Sequence, residues 1–347
     1  MPMKGFRPWD PGQSLLFEVS PREWLPADHL VYCVLDLAEQ FDLTPIEREY
    51  RHRDARGGKG YHPAMMTALL LYGYAVGMPS SRRLERATYE DVGVRVLTGG
   101  QHPDHTRISK FRGEHLGALA KQQEASATND DRTPPTGSSP APLPRHQVKT
   151  TRHGAPAPKA QRNFTDPESR IMKHQGGYIQ GYNGQIAVDD THQVVVAHAL
   201  TNQAPDVQHL PVILERIEAN TGTQPKHLTA DAGYWSGANA AVCDEHGITA
   251  LIATGRLKHG ETPPPARGRP SQHLDAKGHM WRKLRTTAGR AVYARRKAVV
   301  EPCFGQIKGR GFWKLLLRGL EKAQAEWALI AMSHNLLKYS RVAWQPA

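Results

Sequence analysis

The stretch LTADAGYWS, residues 228–236, closes a short apolar approach on a single carboxylate, Asp231, and follows it with Ala-Gly and an aromatic pair. An aspartate at the end of a strand has two common uses. It caps a helix or shapes a turn, or it is held as a metal ligand at the carboxyl end of a sheet, where open α/β folds place their chemistry. Softer ligands gather nowhere in the chain. His102 with His105 and His273 with His279 fall in loop-like sequence without a convergent set, which argues against a zinc enzyme. The three cysteines, Cys33, Cys243 and Cys303, lie far apart and form no C-x-x-C pair, against both a disulfide framework and a thiolate zinc site.

Charge and length set the frame for that carboxylate. The 347 residues suffice for two domains. Lysine plus arginine number 45 against 33 acids, with a pI near 9.7, a balance that favours a polyanionic partner, nucleic acid first. No apolar run is long enough for a membrane span, and the opening MPMKGFRPWDPGQ has no signal-peptide core, so a cytoplasmic protein is expected.

The elements follow from punctuation and period. PAMMTALLLYGYAV, residues 63–76, starts with proline and carries a dense apolar face, a helix stopped by Gly77-Met78-Pro79-Ser80. Ser80 or Ser81 caps the next helix, SRRLERATYEDVGVRVL. Thr106 caps TRISKFRGEHLGALAKQ, which brings Arg107, Lys110 and Arg112 into its first turns, as the last helix of a helix-turn-helix would for DNA, or as a solvated face. Residues 121–160, rich in Pro, Ser, Thr and Ala, read as a disordered linker. From 163 the order is β-β-α-β-α-β, an α/β domain with a mixed sheet: GYNGQIAV and VVVAHAL joined by an Asp-Asp-Thr-His turn, DVQHLPVILERIEANTG helical, HLTAD a strand, SGANAAVCDEHG helical and ITALIAT a strand. Residues 259–279 form a polar loop whose Arg267 and Arg269 either track a DNA backbone or are merely mobile. The tail is helical, with Trp327, Leu329, Ile330 and Leu336 expected in the core and Trp235 expected to pack.

Three stretches then fall into one pattern: TADAGYWS, YARRKAVVEPCFGQIKGRGF, and NFTDPESRIMK followed by GYNGQIAVD. Together they resemble bacterial insertion-sequence transposases of the DDE (Asp-Asp-Glu) type. HPAMMTALLLYGYAVGMPSSRRLER and PDHTRISKFR resemble the helical N-terminal domain of the same proteins. The resemblance implies a helical DNA-binding domain over 1–120 and a ribonuclease-H-like catalytic domain over 161–347. It also implies a Mg²⁺ or Mn²⁺ centre, cleavage and strand transfer at insertion-sequence ends, and a homodimer on duplex DNA, contacting terminal repeats and target. Two metals clamp the attacking and leaving oxygens in such chemistry. By the same resemblance Asp231 is the second catalytic carboxylate and Glu301 the third, both metal ligands. Tyr293, Arg296 and Lys308 match a Tyr–Arg–Glu–Lys signature that contacts DNA phosphates, with Lys297 competing for the arginine position. Pro302, next to Glu301, predicts a kink or a helix start there.

The first aspartate of that pattern has no matching strand. It should fall within 121–160. Asp130 and Asp131 sit in ATNDDRTPP, neither apolar nor β-branched; Asp166 in FTDPESR matches a recurrent family residue of another kind; Asp189 in IAVDD reads as turn chemistry. The break suggests an internal deletion or a shifted reading frame, and predicts an exposed sheet edge where a central strand is lost. The expectation is a degenerate transposase with little strand transfer. A non-catalytic protein that binds element ends and regulates an intact transposase is the alternative, and a general metal-dependent nuclease also stays open.

Overall fold

The computed structural model describes residues 20–51, 60–126, 151–153, 163–174, 176–255, 263–271 and 273–344. Up to Ser126 its described elements are all helical: a 3-10 turn at Pro21–Trp24, then α1 (Leu30–Glu39), α2 (Thr44–Arg51), α3 (Pro63–Ala75), α4 (Ser81–Glu90), α5 (Val92–Thr98) and α6 (His105–Ser126). α3 is apolar nearly all round and correspondingly buried, as a helix without a polar face must be.

Four local details differ from the sequence reading. The helix expected over SRRLERATYEDVGVRVL is two helices, because Asp91 leaves the helical conformation and its Oδ1 accepts from the Val94 N–H at 2.9 Å, capping α5. Ser80 holds the cap position of α4 without a side-chain bond. Asp104, not Thr106, caps α6, its Oδ1 accepting from the N–H groups of Thr106 and Arg107 at 2.9 and 3.0 Å. α6 also runs to Ser126, into the stretch read as linker. Asp130 and Asp131 lie outside the described residues.

Beyond this come the hairpin β1 (Arg170–His174) and β2 (Gly177–Gly181), the hairpin β3 (Asn183–Val188) and β4 (Val195–Thr201), α7 (Leu210–Thr221), β5 (His227–Ala230), a 3-10 turn at Ala232–Tyr234, α8 (Gly237–Glu245), β6 (Thr249–Ile252), α9 (Ala276–Arg285), α10 (Thr287–Gly309) and α11 (Leu320–Val342). The expected β-β-α-β-α-β order is present from β3 to β6. The β1–β2 hairpin and α9 are additions. α9 starts inside the expected polar loop, capped by Asp275, whose Oδ1 accepts from the Gly278 N–H at 2.7 Å.

The single mixed sheet is not formed among the described residues. The strands make three two-stranded sheets: β1–β2 and β3–β4 antiparallel, β5–β6 parallel. Among the described residues β3 and β5 neither pair with each other nor share a strand, and a cavity lies between them. The β3–β4 hairpin is covered on both faces. Ala197 and Ala199 join the cluster of Ile213 and Leu214 on α7, whereas Leu200 joins Trp327 and Ile330 on α11. The outer edge of β4 is also closed by side chains. Asn335 bonds both the N–H and the C=O of Val195 at 2.8 Å, and the carbonyls of Val196, His198 and Leu200 accept from Asn220, Arg216 and Gln324.

Trp327, Leu329, Ile330 and Leu336 are buried as expected, and α11 packs on β4. It packs equally on the early helices, so that Leu69 of α3, Phe111 of α6 and Ile330 belong to one core. Glu326 on this helix is 1% exposed. It accepts from the Tyr74 hydroxyl at 2.8 Å and from the N–H groups of Leu316 and Leu317 at 2.7 and 2.8 Å.

Burial, reinforced by the charge of Arg216, pushes the His198 imidazole down to about 4. The folded state keeps this ring neutral where the unfolded chain, with a value near 6.5, takes up a proton. The resulting stability is present above the unfolded value and is lost as pH falls through about 4. Urea unfolding at neutral and at acid pH is expected to reveal that slope, and His198→Gln to flatten it; an unchanged slope in the variant would remove His198 as its source.

Candidate active site

Asp231 stands where β5 ends. Its backbone turns extended, with φ −79° and ψ 179°, and its Oδ1 accepts from the Gly233 N–H at 2.9 Å, capping the short turn that follows. The strand-end carboxylate is therefore a cap, and the bond engages Oδ1. Its side chain is exposed at the mouth of the cavity between β3 and β5.

A second acid meets it there. Asp206, in the loop between β4 and α7, receives on Oδ1 the side-chain amides of Asn183 at 2.7 Å and Gln185 at 2.9 Å, both from β3. A Cβ on Gly233 would stand 2.6 Å from Asp206 Oδ2 and 3.1 Å from Asp231 Oδ1. A side chain there would have to push the Asp206 carboxylate aside, and glycine lets the two carboxylates face one small space. Tyr234 lies beside both: burial first, then the charges of Asp206 and Asp231, hold its hydroxyl well above the ordinary range.

α10 forms the opposite wall. Arg296 lies over the Tyr293 ring, 5.6 Å from its centroid, and lines the cavity. The Tyr293 hydroxyl is raised, by burial above all; Arg296 opposes the shift and the Asp231 charge adds to it. Arg295 is taken by Asp190 at 2.9 Å. Of the two residues competing for the arginine position, Arg296 faces Tyr293, while Lys297 is exposed.

Glu301 is exposed in the middle of α10 and does not line the cavity. The helix start offered as one reading of Pro302 is not there, since α10 runs continuously from Thr287 through Pro302 to Gly309. Proline removes the N–H that Ala298 would have received. The Gln193 side chain supplies a replacement, its Nε2 donating to the Ala298 C=O at 2.9 Å. Gln193 reaches it from a left-handed turn, φ 58°, held by His334 donating to its C=O at 3.0 Å and Lys338 to its Oε1 at 3.1 Å.

The remaining predicted residues disperse. Lys308 is exposed, 5.7 Å from the centroid of the exposed Trp313 ring. Arg107 and Lys110 lie on the open face of α6 beside Asp104 and Glu114. Arg112 is a correction: at 6% exposure it is internal, donating to the Pro79 C=O at 2.6 Å and to Ser81 Oγ at 3.3 Å, so it ties α6 to the turn before α4 and is closed to DNA. Asp189 accepts from the N–H groups of Thr191 and His192 at 3.1 and 2.7 Å, turn chemistry as expected. Asp166 accepts from the Tyr182 hydroxyl at 2.7 Å and the Gly319 N–H at 3.1 Å, a structural tie to the start of α11.

This is an α/β protein with paired acids at a strand end and a basic helix across from them. Residues 139–336 match the family model described as Transposase DDE domain, and residues 19–114 match that described as Transposase domain (DUF772). The first match covers more than half of the chain, which therefore belongs to the DDE transposases; it begins inside the stretch read as linker. No curated protein and no solved structure matches the chain. No described helix is long and apolar enough to cross a membrane.

Proposed function

We propose that this transposase binds the ends of its element, as a homodimer on duplex DNA, and cuts them poorly through a centre reduced to two carboxylates, Asp206 and Asp231. The observation that carries this reading is the meeting of these two acids across Gly233, while Glu301 stays outside the cavity, two helical turns, roughly 12 Å, along α10 from Tyr293. The donor set fits a hard divalent ion. Asn183 and Gln185 satisfy one Asp206 oxygen and aim the other toward Asp231, and all donors are oxygens. Bound Mg²⁺ or Mn²⁺ would supply Lewis-acid activation of a phosphodiester and its attacking water. Arg296, held over Tyr293, would bind a phosphate next to the cut, and Lys297 and Lys308 would follow the backbone along the exposed side of α10. Arg107 and Lys110 on α6 would add sequence-independent attraction. A ribonuclease-H-like sheet requires a strand between β3 and β5, and the separation of these strands supports impaired cleavage.

The test uses labelled duplex carrying the element's ends, with Mg²⁺ or Mn²⁺. The chain and its Asp231→Asn and Asp206→Asn variants are all expected to retard the duplex. Slow nicking by the unmodified chain should disappear in both variants and survive Glu301→Gln. Efficient strand transfer, or equal loss in Glu301→Gln, would refute the two-carboxylate centre. Absence of retardation would refute end binding.

A further inference from the structure

Residues 263–271 run beside α9 and the start of α10 as a strap held by arginines. The Arg290 side chain donates to the Pro263 C=O, Arg285 Nε to the Pro264 C=O at 2.7 Å, and Arg282 to the carbonyls of Arg267, at 3.1 Å, and of Gly268. The Ala266 N–H returns a bond to the Arg285 C=O at 3.0 Å. The acceptors climb from 263 to 268 as the donors descend from 290 to 282, so strap and helices run antiparallel. Pro263, Pro264 and Pro265 stiffen its first half. The loop that the sequence leaves open as mobile is, over these residues, a fixed element.

The strap is also where positive charge collects. Carbonyls are neutral acceptors, so these bonds orient Arg282, Arg285 and Arg290 and leave their charges whole. Residues 263–290 hold seven lysines and arginines and one carboxylate, Asp275, whose Oδ1 is engaged in capping α9. The whole chain carries 45 bases against 33 acids, so the surplus is concentrated here. Arg267 and Arg269 stand exposed on the strap. Like charges gathered in this way repel, and a polyanion relieves the repulsion. A stiff, pinned strap also loses little freedom on binding. The surface leads toward the candidate site: Arg290 lies roughly 9 Å before Arg296 along α10, and Arg296 lines the cavity that Asp206 and Asp231 share.

We propose that the strap and the end of α9 bind the phosphates of the duplex that flanks the element, next to the cut. Arg267 and Arg269 each meet a phosphate oxygen, while Arg282, Arg285 and Arg290 supply the field behind them. Contacts to phosphates carry charge recognition and no base sequence. That suits flanking DNA, whose sequence depends on where the element sits. The location beside the cut rests on the end-binding reading above, and the duplexes below separate the two.

Two labelled duplexes are titrated with the full chain, one stopping at the terminal base pair of the element and one carrying about ten further base pairs of arbitrary sequence. The flank is expected to tighten binding about tenfold at about 0.1 M salt. Arg267→Ala combined with Arg269→Ala should remove that gain and leave the shorter duplex unaffected. It should also reduce the slope of log K against log salt on the longer duplex by about two. Lysine at both positions should keep the slope, since it carries the same charge. An unmodified chain that gains nothing from the flank, or a double alanine variant that keeps the gain, would overturn the proposal. Equal loss on both duplexes would overturn it as well, placing the strap on the end sequence. If the unmodified chain binds neither duplex, end binding fails, and a duplex of wholly arbitrary sequence decides the strap. There, a salt slope lowered by about two in the double alanine variant supports phosphate binding by the strap, and an unchanged slope overturns it.

Discussion

Replacing Glu326 with alanine is expected to destabilise the folded chain by about 3–5 kcal/mol, because three donors lose their acceptor inside the core. The Tyr74 hydroxyl and the N–H groups of Leu316 and Leu317 all end on this one carboxylate. The Tyr74 hydroxyl is buried and cannot turn to water without moving α3. Glu326→Gln should cost less. Its carbonyl oxygen can keep the two backbone donors while its NH₂ faces the tyrosine, whose hydroxyl can also accept. Equilibrium urea unfolding measures both; a loss in Glu326→Ala no larger than that of a surface substitution would show that the loop re-solvates. A pH effect goes with it. Burial first, and the Glu326 charge second, hold the Tyr74 proton far above the ordinary range. Above about 10 the unfolded chain releases that proton and the folded state does not, so stability falls as pH rises past this point. The fall should be shallower in Tyr74→Phe.

Trp327→Ala is expected to have a similar effect, about 3–5 kcal/mol, from lost burial and the cavity left behind. The ring is 8% exposed, its Nε1 donates to the Gln185 C=O at 3.2 Å, and it stacks on Phe304 with centroids 6.3 Å apart. It also lies flat against Gly184, where a Cβ would come within 3.1 Å of two ring atoms. Two finer substitutions separate these contributions. Trp327→Phe keeps most of the surface but withdraws the donor, for about 1–3 kcal/mol. Gly184→Ala should cost about as much in overpacking, and that cost should shrink when Trp327→Phe is present. Simple additivity in the double variant would mean that ring and strand do not press on each other. Because Gln185 and Asn183 hold Asp206, loosening β3 through Trp327 should also weaken the cation binding proposed for the acids.

Much of this was legible in the chain. Asp231 at a strand end, the β3–β4 hairpin with its Asp189 turn, and the buried stripe of α11 each leave a local pattern of period or punctuation. What stayed hidden depends on partners remote in sequence. Asp206 sits in TNQAPDVQHL, where nothing local separates it from any loop aspartate; Asn183 and Gln185, some twenty residues earlier, aim it. Arg112 reads as a DNA contact on a basic helix until the Pro79 carbonyl, 33 positions away, claims it. Pro302 reads as a helix breaker because Gln193, which repairs the break, arrives from a turn between strands. β2 escaped notice because exposure on both of its faces erases the alternation that marks a half-buried strand.

The shared core of α3, α6 and α11 bears on how the protein is made. Tyr74 and Glu326 bond across 252 positions of chain. On the ribosome, the early helices emerge first and must wait, with Leu69, Leu70 and Ile108 uncovered, until α11 has been synthesised. Such high contact order slows folding and prolongs exposure to aggregation and proteolysis. Any translation product that stops short of Leu320 would lack the helix that seals this core. Such a product is expected to be cleaved by protease much faster than the whole chain, which limited proteolysis of a chain ending before Leu320 would measure.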